Sequence, residues 1–401
     1  MKPSIPANFK VPGFLAAGIV AGIKKNQQKD LALIFSETPA VAAGVFTTNR
    51  VKAAPVVLSL ERLKSGKARA VLANAGCANA CTGRAGLADG ERASKKLAAI
   101  LEIDPESILL GSTGVIGKRL PMAVLEKSLP PLVSSLSPKG LGEAAQAIMT
   151  TDTFPKAVVT RGMINGKEIT VAGIAKGAGM ISPQMATLLS FVVTDAAISL
   201  PALRRSLKEG VEKSFNRITV DGDMSTNDTL LIMANGRAGN RTLMPNTPGH
   251  KKFMALLQEV LFPLAKMVAF DGEGATKLVE IAVEGARTAP EAEKVARTVA
   301  NSPLVKTAIF GHDANWGRIL CAAGYSGVPI DPDRVDIFFD RVKIVSHGMG
   351  TGLTLEKKAT AVMKKREYAI RIHLHQGKEK ASIWTSDFSF DYVKINASYR
   401  T

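Results

Sequence analysis

The sequence predicts a mixed α/β fold, and three observations carry that expectation. Short apolar runs of strand length alternate with stretches of helical spacing from one end to the other. The run at 188–193 (LLSFVV) is apolar on both faces, as a strand is when helices cover one face and another sheet the other. At 401 residues and 46% hydrophobic, the chain can bury a sizeable core in one large or two ordinary domains, with no internal repeat and no long low-complexity linker.

Taken in order, 30–35, 41–46, 68–73 and 107–110 are predicted strands, rich in Val, Ile, Leu and Ala. Helical spacing follows over 86–101 and 121–136, the second expected to break at Pro130-Pro131. A strand at 169–174 enters a glycine-rich loop, and the one at 188–193 leaves it. Residues 200–216 and 251–267 read as helices, with Pro263 marking a kink. Strands at 278–283, 335–339, 368–375 and 382–385 close the chain.

A formal net charge of +17 admits nucleic acid as a partner class. Against it stand 5% aromatics, no zinc-finger spacing, no RNP-type aromatic run, and basic residues scattered in short pairs. A diffuse basic field suits solvated faces and the attraction of small anionic substrates. Three cysteines, Cys77, Cys81 and Cys321, make no disulfide framework, and no histidine lies near the first two, so reduced thiols are expected. Residues 14–23 (FLAAGIVAGI) faintly imitate a signal peptide but hold two glycines and end without a cleavage site. No stretch reaches the roughly 18 unbroken apolar residues of a spanning helix. A cytoplasmic protein with no membrane partner is expected.

Several motifs imitate sites and fail. Gly111 to Lys118 resembles a phosphate loop, but Ser112 and Arg119 stand where glycine and a hydroxyl residue are required. It reads either as a turn or as an oxyanion site, where glycine backbone and the Thr113 hydroxyl offer donors. Gly177 and Gly179 begin a dinucleotide fingerprint that Ser182 ends. Asp221 to Asn227 has calcium-loop oxygens, yet Thr226 and Ile232 replace the needed glycine and glutamate, leaving a turn capped by its own side chains. His373 and His375 share a strand face without a third ligand and are expected on an exposed edge. Glu273, between glycines, reads as a carboxylate in an open loop facing either a cationic amine or solvent.

The segment 176–196, KGAGMISPQMATLLSFVVTDA, is the most informative. A glycine-rich loop with a lysine runs through Ala186 into Thr187 and then into an apolar strand. A threonine hydroxyl is a weak nucleophile without an adjacent base; a chain break before Thr187 would supply one as its own α-amine.

That segment resembles the autocleavage region of the ornithine acetyltransferase family, the glutamate N-acetyltransferases of arginine biosynthesis. The resemblance extends over NAGCANACTG (74–83), GSTGVIG (111–117), MTTDT (149–153), TVDGDMSTNDT (219–229), DGEGATK (271–277), FGHDANWGRI (310–319) and YVKINASYRT (392–401). It implies a layered αββα sandwich built from two autocleaved, interleaved chains, 1–186 and 187–401, paired as a heterotetramer of two alpha and two beta chains. It implies acetyl transfer from N2-acetylornithine to glutamate through an acetyl-Thr187 intermediate, after cleavage between Ala186 and Thr187. Thr113 and Gly114 would hold the oxyanion, and Thr150, Lys176, Thr187, Glu273, Asn396 and Thr401 would bind substrate. In the TTDT motif Thr153 competes with Thr150 for its contact; His312 receives no role. No metal or redox cofactor is implied; acetyl-CoA is a further candidate donor. The competing readings are a self-processing threonine amidohydrolase or aminopeptidase and a basic nucleic-acid-binding protein.

Overall fold

In the computed structural model, which describes residues 4–182 and 188–398, two expected strands are one. Strand β1 (Phe14–Ile19) lies antiparallel to β2 (Leu31–Phe46), which spans both the 30–35 and 41–46 runs. The signal-like segment is therefore largely sheet. Seven more strands follow: β3 (Lys67–Cys77), β4 (Ile108–Val115), β5 (Lys156–Ile164), β6 (Lys167–Lys176), β7 (Leu189–Thr194), β8 (Ile218–Thr219) and β9 (Thr229–Ala234). The first sheet runs β4-β3-β2-β9-β7-β6-β5, with β1 on β2. A register shift between Phe35 and Ala40 divides β2: its first half pairs with β1 and β3, its second with β9 and, at Ala40 and Val41, still with β3.

The two halves of this sheet stack on each other. Phe14, Ile34, Val71 and Leu109 from one half share a buried cluster with Ile174, Phe191, Leu231 and Met233 from the other. β4 passes so close over β7 that a methyl on Gly111 would sit 3.0 Å from the Phe191 ring. Side chains alternate along a strand, so the odd faces need their own cover. Leu31, Leu33, Leu72 and Leu110 lie with helices Gly83–Leu101 and Met122–Ser134; Val171, Val192, Leu230 and Ile232 lie with Leu200–Glu212 and Pro248–Phe270. This is the expected αββα layering. Strands from either side of position 186 alternate within it, since β9 and β7 sit between β2 and β6.

A second sheet holds β8 with β10 (Leu278–Ala286), β11 (Asp336–Phe339), β12 (Val342–Ser346), β13 (Met349–Gly350), β14 (Glu367–His373) and β15 (Glu379–Ser386), in the order β13-β12-β11-β14-β10-β15-β8. Helices Ala289–Asn301, Trp316–Gly324 and Leu353–Met363 share its core. Trp384 on β15 meets Phe262 edge-on at 5.0 Å, which sets this sheet against helix Pro248–Phe270. That 23-residue helix is apolar enough in length and composition to cross a membrane, but its apolar faces are spent on the first sheet and on Trp384.

Three local expectations are corrected. Helix Met122–Ser134 does not break at Pro130-Pro131. The prolines stand near its end, where each forgoes one backbone hydrogen bond while buried Leu129 and Leu132 hold the turn. The helix expected over 200–216 stops at Glu212, followed by a tight turn at Phe215–Arg217. His373 and His375 are not on an edge: β14 is an interior strand between β11 and β10, and His375 lies beyond its end with Nε2 3.0 Å from Asp336. The cysteines are free, as expected.

One buried cation in this second unit makes stability depend on pH. Lys306 is fully buried, donates to Thr385 Oγ1 at 2.7 Å and to the Ser386 carbonyl, and lies over the Phe388 ring. Burial pushes its ammonium down to about 7, against the opposing charges of Asp387 and Asp221. The folded value lies below the unfolded one of about 10.4, so above pH 7 the unfolded chain holds the extra proton and stability rises with pH. The gain accumulates from about pH 7 to 10 and is absent below. Relative to Lys306→Met, which cannot titrate, the wild type should gain up to about 1.4 kcal/mol per pH unit between pH 7.5 and 9.5. Denaturation midpoints at those two pH values check this; a constant difference between the proteins would refute it.

Candidate active site

The stacked half-sheets present the ends of β4 and β6 and the start of β7 around one cavity of about 120 Å³. Six expected residues line it: Thr113, Gly114, Thr150, Lys176, Glu273 and Asn396. Ala186, Thr187 and Thr401 lie outside the described residues; Leu188 and Leu189, which follow Thr187 in the chain, line the cavity.

The 111–118 motif is mostly strand, so its reading as a turn is corrected: β4 continues parallel to β3 through Val115. At Gly114 the backbone has φ +127°, and a Cβ would fall 2.4 Å from the Gly76 carbonyl carbon. Only glycine fits both conditions. Asn227 holds this end in place by donating to the carbonyls of Ala78 (2.7 Å) and Ser112 (2.8 Å), and the Ser112 hydroxyl donates to Asn74 at 2.6 Å.

Lys176 ends β6 with its side chain buried and donates from Nζ to Thr113 Oγ1 at 3.2 Å. A hydroxyl that accepts from an ammonium keeps its own proton free to donate elsewhere. The pair therefore presents a polarised donor to the cavity. Burial lowers the Lys176 ammonium, helped by Lys156; Asp152, Glu273 and Asp228 oppose the shift.

Glu273 is not in an open loop: it is 5% exposed. The turn after helix Pro248–Phe270 is pinned by the Glu273 N–H on the Ala178 carbonyl (2.8 Å), and the carboxylate accepts from Asn396 Nδ2 at 2.9 Å. A methyl on Gly179 would reach within 2.4 Å of that carboxylate. Asn396 belongs to helix Phe390–Ser398, so the end of the described chain lies over the site. Thr150 lines the cavity, whereas Thr153 turns to Asp271, donating from its N–H at 2.9 Å and from its hydroxyl.

Other lining residues lie in motifs whose bland readings were incomplete. Asp221 caps more than its own turn: it accepts from the N–H groups of Met180 (2.6 Å) and Ile181 (2.8 Å) as well as Asp223 (3.2 Å). Burial pushes its carboxyl up, against those three donors. Asp228 is 1% exposed and is pushed well above the carboxylate range by burial, against the Ser225 side chain and Lys176. The Tyr392 hydroxyl is also raised by burial, then by Asp221, Asp223 and Glu273, and so stays a donor. Nothing in the string TVDGDMSTNDT alone could say that its side chains reach β4 and the loops after β3 and β6. His312 does not line the cavity. Among the described residues, no cluster of three His, Cys, Asp or Glu is placed to hold a metal.

A buried ammonium beside a hydroxyl donor, and buried carboxylates lining the same cavity, suit a small ligand carrying both an anionic and a cationic group. Asn396→Ala leaves one Glu273 oxygen without its donor and releases the terminal helix. It should raise the Michaelis constant for a cationic donor about tenfold, the weight of one hydrogen bond to a charged group, with little change in kcat. Steady-state kinetics check it; an unchanged constant removes Asn396 from the site.

The ArgJ family model matches residues 15–401. The arginine biosynthesis bifunctional protein ArgJ of Geobacter sulfurreducens is 52% identical over 98% of this chain and 100% of its own. The crystal structure of the arginine biosynthesis bifunctional protein of Bacillus halodurans is 46% identical, with a TM-score of 0.50 over 52% of this chain and 98% of that one. A Mycobacterium tuberculosis ornithine acetyltransferase, solved with ornithine, is 42% identical over 46% of this chain and 99% of that one, with a TM-score of 0.40. At half identity along nearly its whole length, the chain belongs to the ArgJ family.

Proposed function

We propose that this chain is an acetyltransferase of arginine biosynthesis that moves the acetyl group of N2-acetylornithine to glutamate through Thr187. The observation that carries this reading is that the Lys176–Thr113 donor pair and Glu273 line one cavity with Leu188 and Leu189.

The Thr187 hydroxyl first attacks the Ala186 carbonyl, and water resolves the resulting ester into fragments of 186 and 215 residues (401 − 186 = 215). The matched Bacillus halodurans chain corresponds to about half of this one, the size relation expected of such a fragment. The freed amine, with an unperturbed pKa of roughly 8, then takes the hydroxyl proton as the oxygen attacks the acetyl carbonyl. Thr113 and Gly114 hold the oxyanion, Lys176 anchors the substrate carboxylate and Glu273 its ammonium. Collapse expels ornithine as the amine returns its proton to the leaving nitrogen. The glutamate amine attacks the acetyl ester, the C–O bond to Thr187 breaks, the Thr187 amine passes the proton lost by that nitrogen to the departing oxygen, and N-acetylglutamate leaves. Amine and hydroxyls supply the chemistry, so no metal or redox cofactor is needed. Acetyl-CoA is a second donor in this reading, in keeping with the bifunctional names of the relatives. Two copies of each fragment assemble, in the cytoplasm where the amino-acid substrates are.

The test is initial-rate kinetics. Parallel double-reciprocal lines for acetylornithine at several glutamate concentrations are expected from a covalent intermediate; intersecting lines would mean direct transfer. Acetate release that glutamate does not suppress would instead mark an amidohydrolase.

A further inference from the structure

Next to the cavity residues Thr150 and Lys176 lies a buried charge network. Lys156, fully buried on β5, is 2.6 Å from Asp152 Oδ1 and 2.6 Å from Asp271 Oδ2. Each carboxylate is also bonded to backbone. Asp152 Oδ1 accepts the Gly177 N–H at 2.7 Å and its Oδ2 the Thr150 N–H at 2.9 Å. Asp271 accepts the Thr153 N–H and hydroxyl, two residues before Glu273. Three separate chain segments that carry the substrate contacts Thr150, Lys176 and Glu273 thus converge on one ammonium.

We propose that Asp152 is a positioning residue for the substrate-carboxylate site: it fixes the Thr150 and Lys176 segments to each other and supplies the buried counter-charge of Lys176. The proposal deepens the acetyltransferase reading and rests on it. A buried ion triad contributes little net stability against an apolar replacement, so its backbone bonds to both substrate segments point to geometry as its use. The charges facing Lys176 are Asp152, Glu273 and Asp228 on one side of the balance and Lys156 and Lys24 on the other. Asp152 is the largest of those that favour the protonated lysine. Its own carboxyl, pushed up by burial, is held well below the usual range by Lys156 and Lys176, so the negative charge is permanent near neutrality.

The experiment uses the full processed enzyme. Asp152→Asn replaces one acceptor oxygen by NH2, so one of the two backbone bonds is lost and Lys176 keeps its proton less well. The Michaelis constant for acetylornithine should rise at least tenfold at pH 7, and more steeply toward pH 9 than in the wild type, while kcat at saturation changes less than threefold. Asp152→Glu keeps the charge and moves it by a methylene; it should raise the Michaelis constant without the added pH dependence, and it serves if Asp152→Asn does not fold. Wild-type constants with a wild-type pH profile in either folded variant overturn the proposal. So would an equal loss in kcat at unchanged Michaelis constant, which would mark general damage. Failure of the wild type itself to transfer acetyl to glutamate would indict the activity reading instead.

Discussion

Thr187→Ala is expected to remain a single 42.4 kDa chain and to lose acetyl transfer by about 10⁴-fold or more, the scale on which removal of a nucleophile acts. In the proposed mechanism the same residue serves twice: its oxygen would take the Ala186 acyl group during processing and the acetyl group in turnover. Alanine has neither the hydroxyl nor, in an uncut chain, the free amine. Thr187→Ser keeps both and should cleave and turn over, more slowly because serine lacks the methyl that restrains rotation about χ1. Intact mass shows which fragments exist. A fully active wild-type chain that stays whole would refute the mechanism.

Thr113→Val should carry the second largest effect. Valine preserves shape on β4 but removes the hydroxyl that Lys176 polarises across 3.2 Å. A lost oxyanion donor costs about 3–4 kcal/mol, or roughly 10²–10³ in kcat. Processing should slow as well, since in the proposed mechanism the Ala186 carbonyl passes through the same kind of oxyanion. Thr113→Ser, which restores the donor, should recover most of the rate. Equal kcat for the valine variant and the wild type would show that Gly114 and its backbone suffice.

Much of this could be read from the chain. Most of the expected strands lie on runs rich in Val, Ile, Leu and Ala, and the run apolar on both faces at 188–193 corresponds to β7, all six of whose residues are buried; β5 and β12, with Val158-Val159 and Val342–Val345, were missed. Helix Ala289–Asn301 and helix Pro303–Phe310 were not called, nor was β9, although their apolar residues are mostly buried in the structure. The union of two runs into β2 was invisible because Glu37, Thr38 and Pro39 interrupt the apolar pattern, and only the pairing with β3 on both sides of them shows one strand. The substrate residues came from the resemblance. Their spacing could not show that Glu273 is buried or that Asn396 reaches it across 123 positions. Lys156 looked like one more lysine in a basic chain, because a buried ion triad is defined by partners 4 and 115 residues away.

The central claim is that Thr187 carries the acetyl group. The most direct measurement mixes processed enzyme with acetylornithine, omits glutamate, quenches in acid within milliseconds and weighs the fragments. The account predicts a gain of about 42 Da confined to the 215-residue fragment, discharged on adding glutamate and absent in Thr187→Ala. An enzyme that turns over with both fragments unshifted, or with the label on the 186-residue fragment, would contradict it.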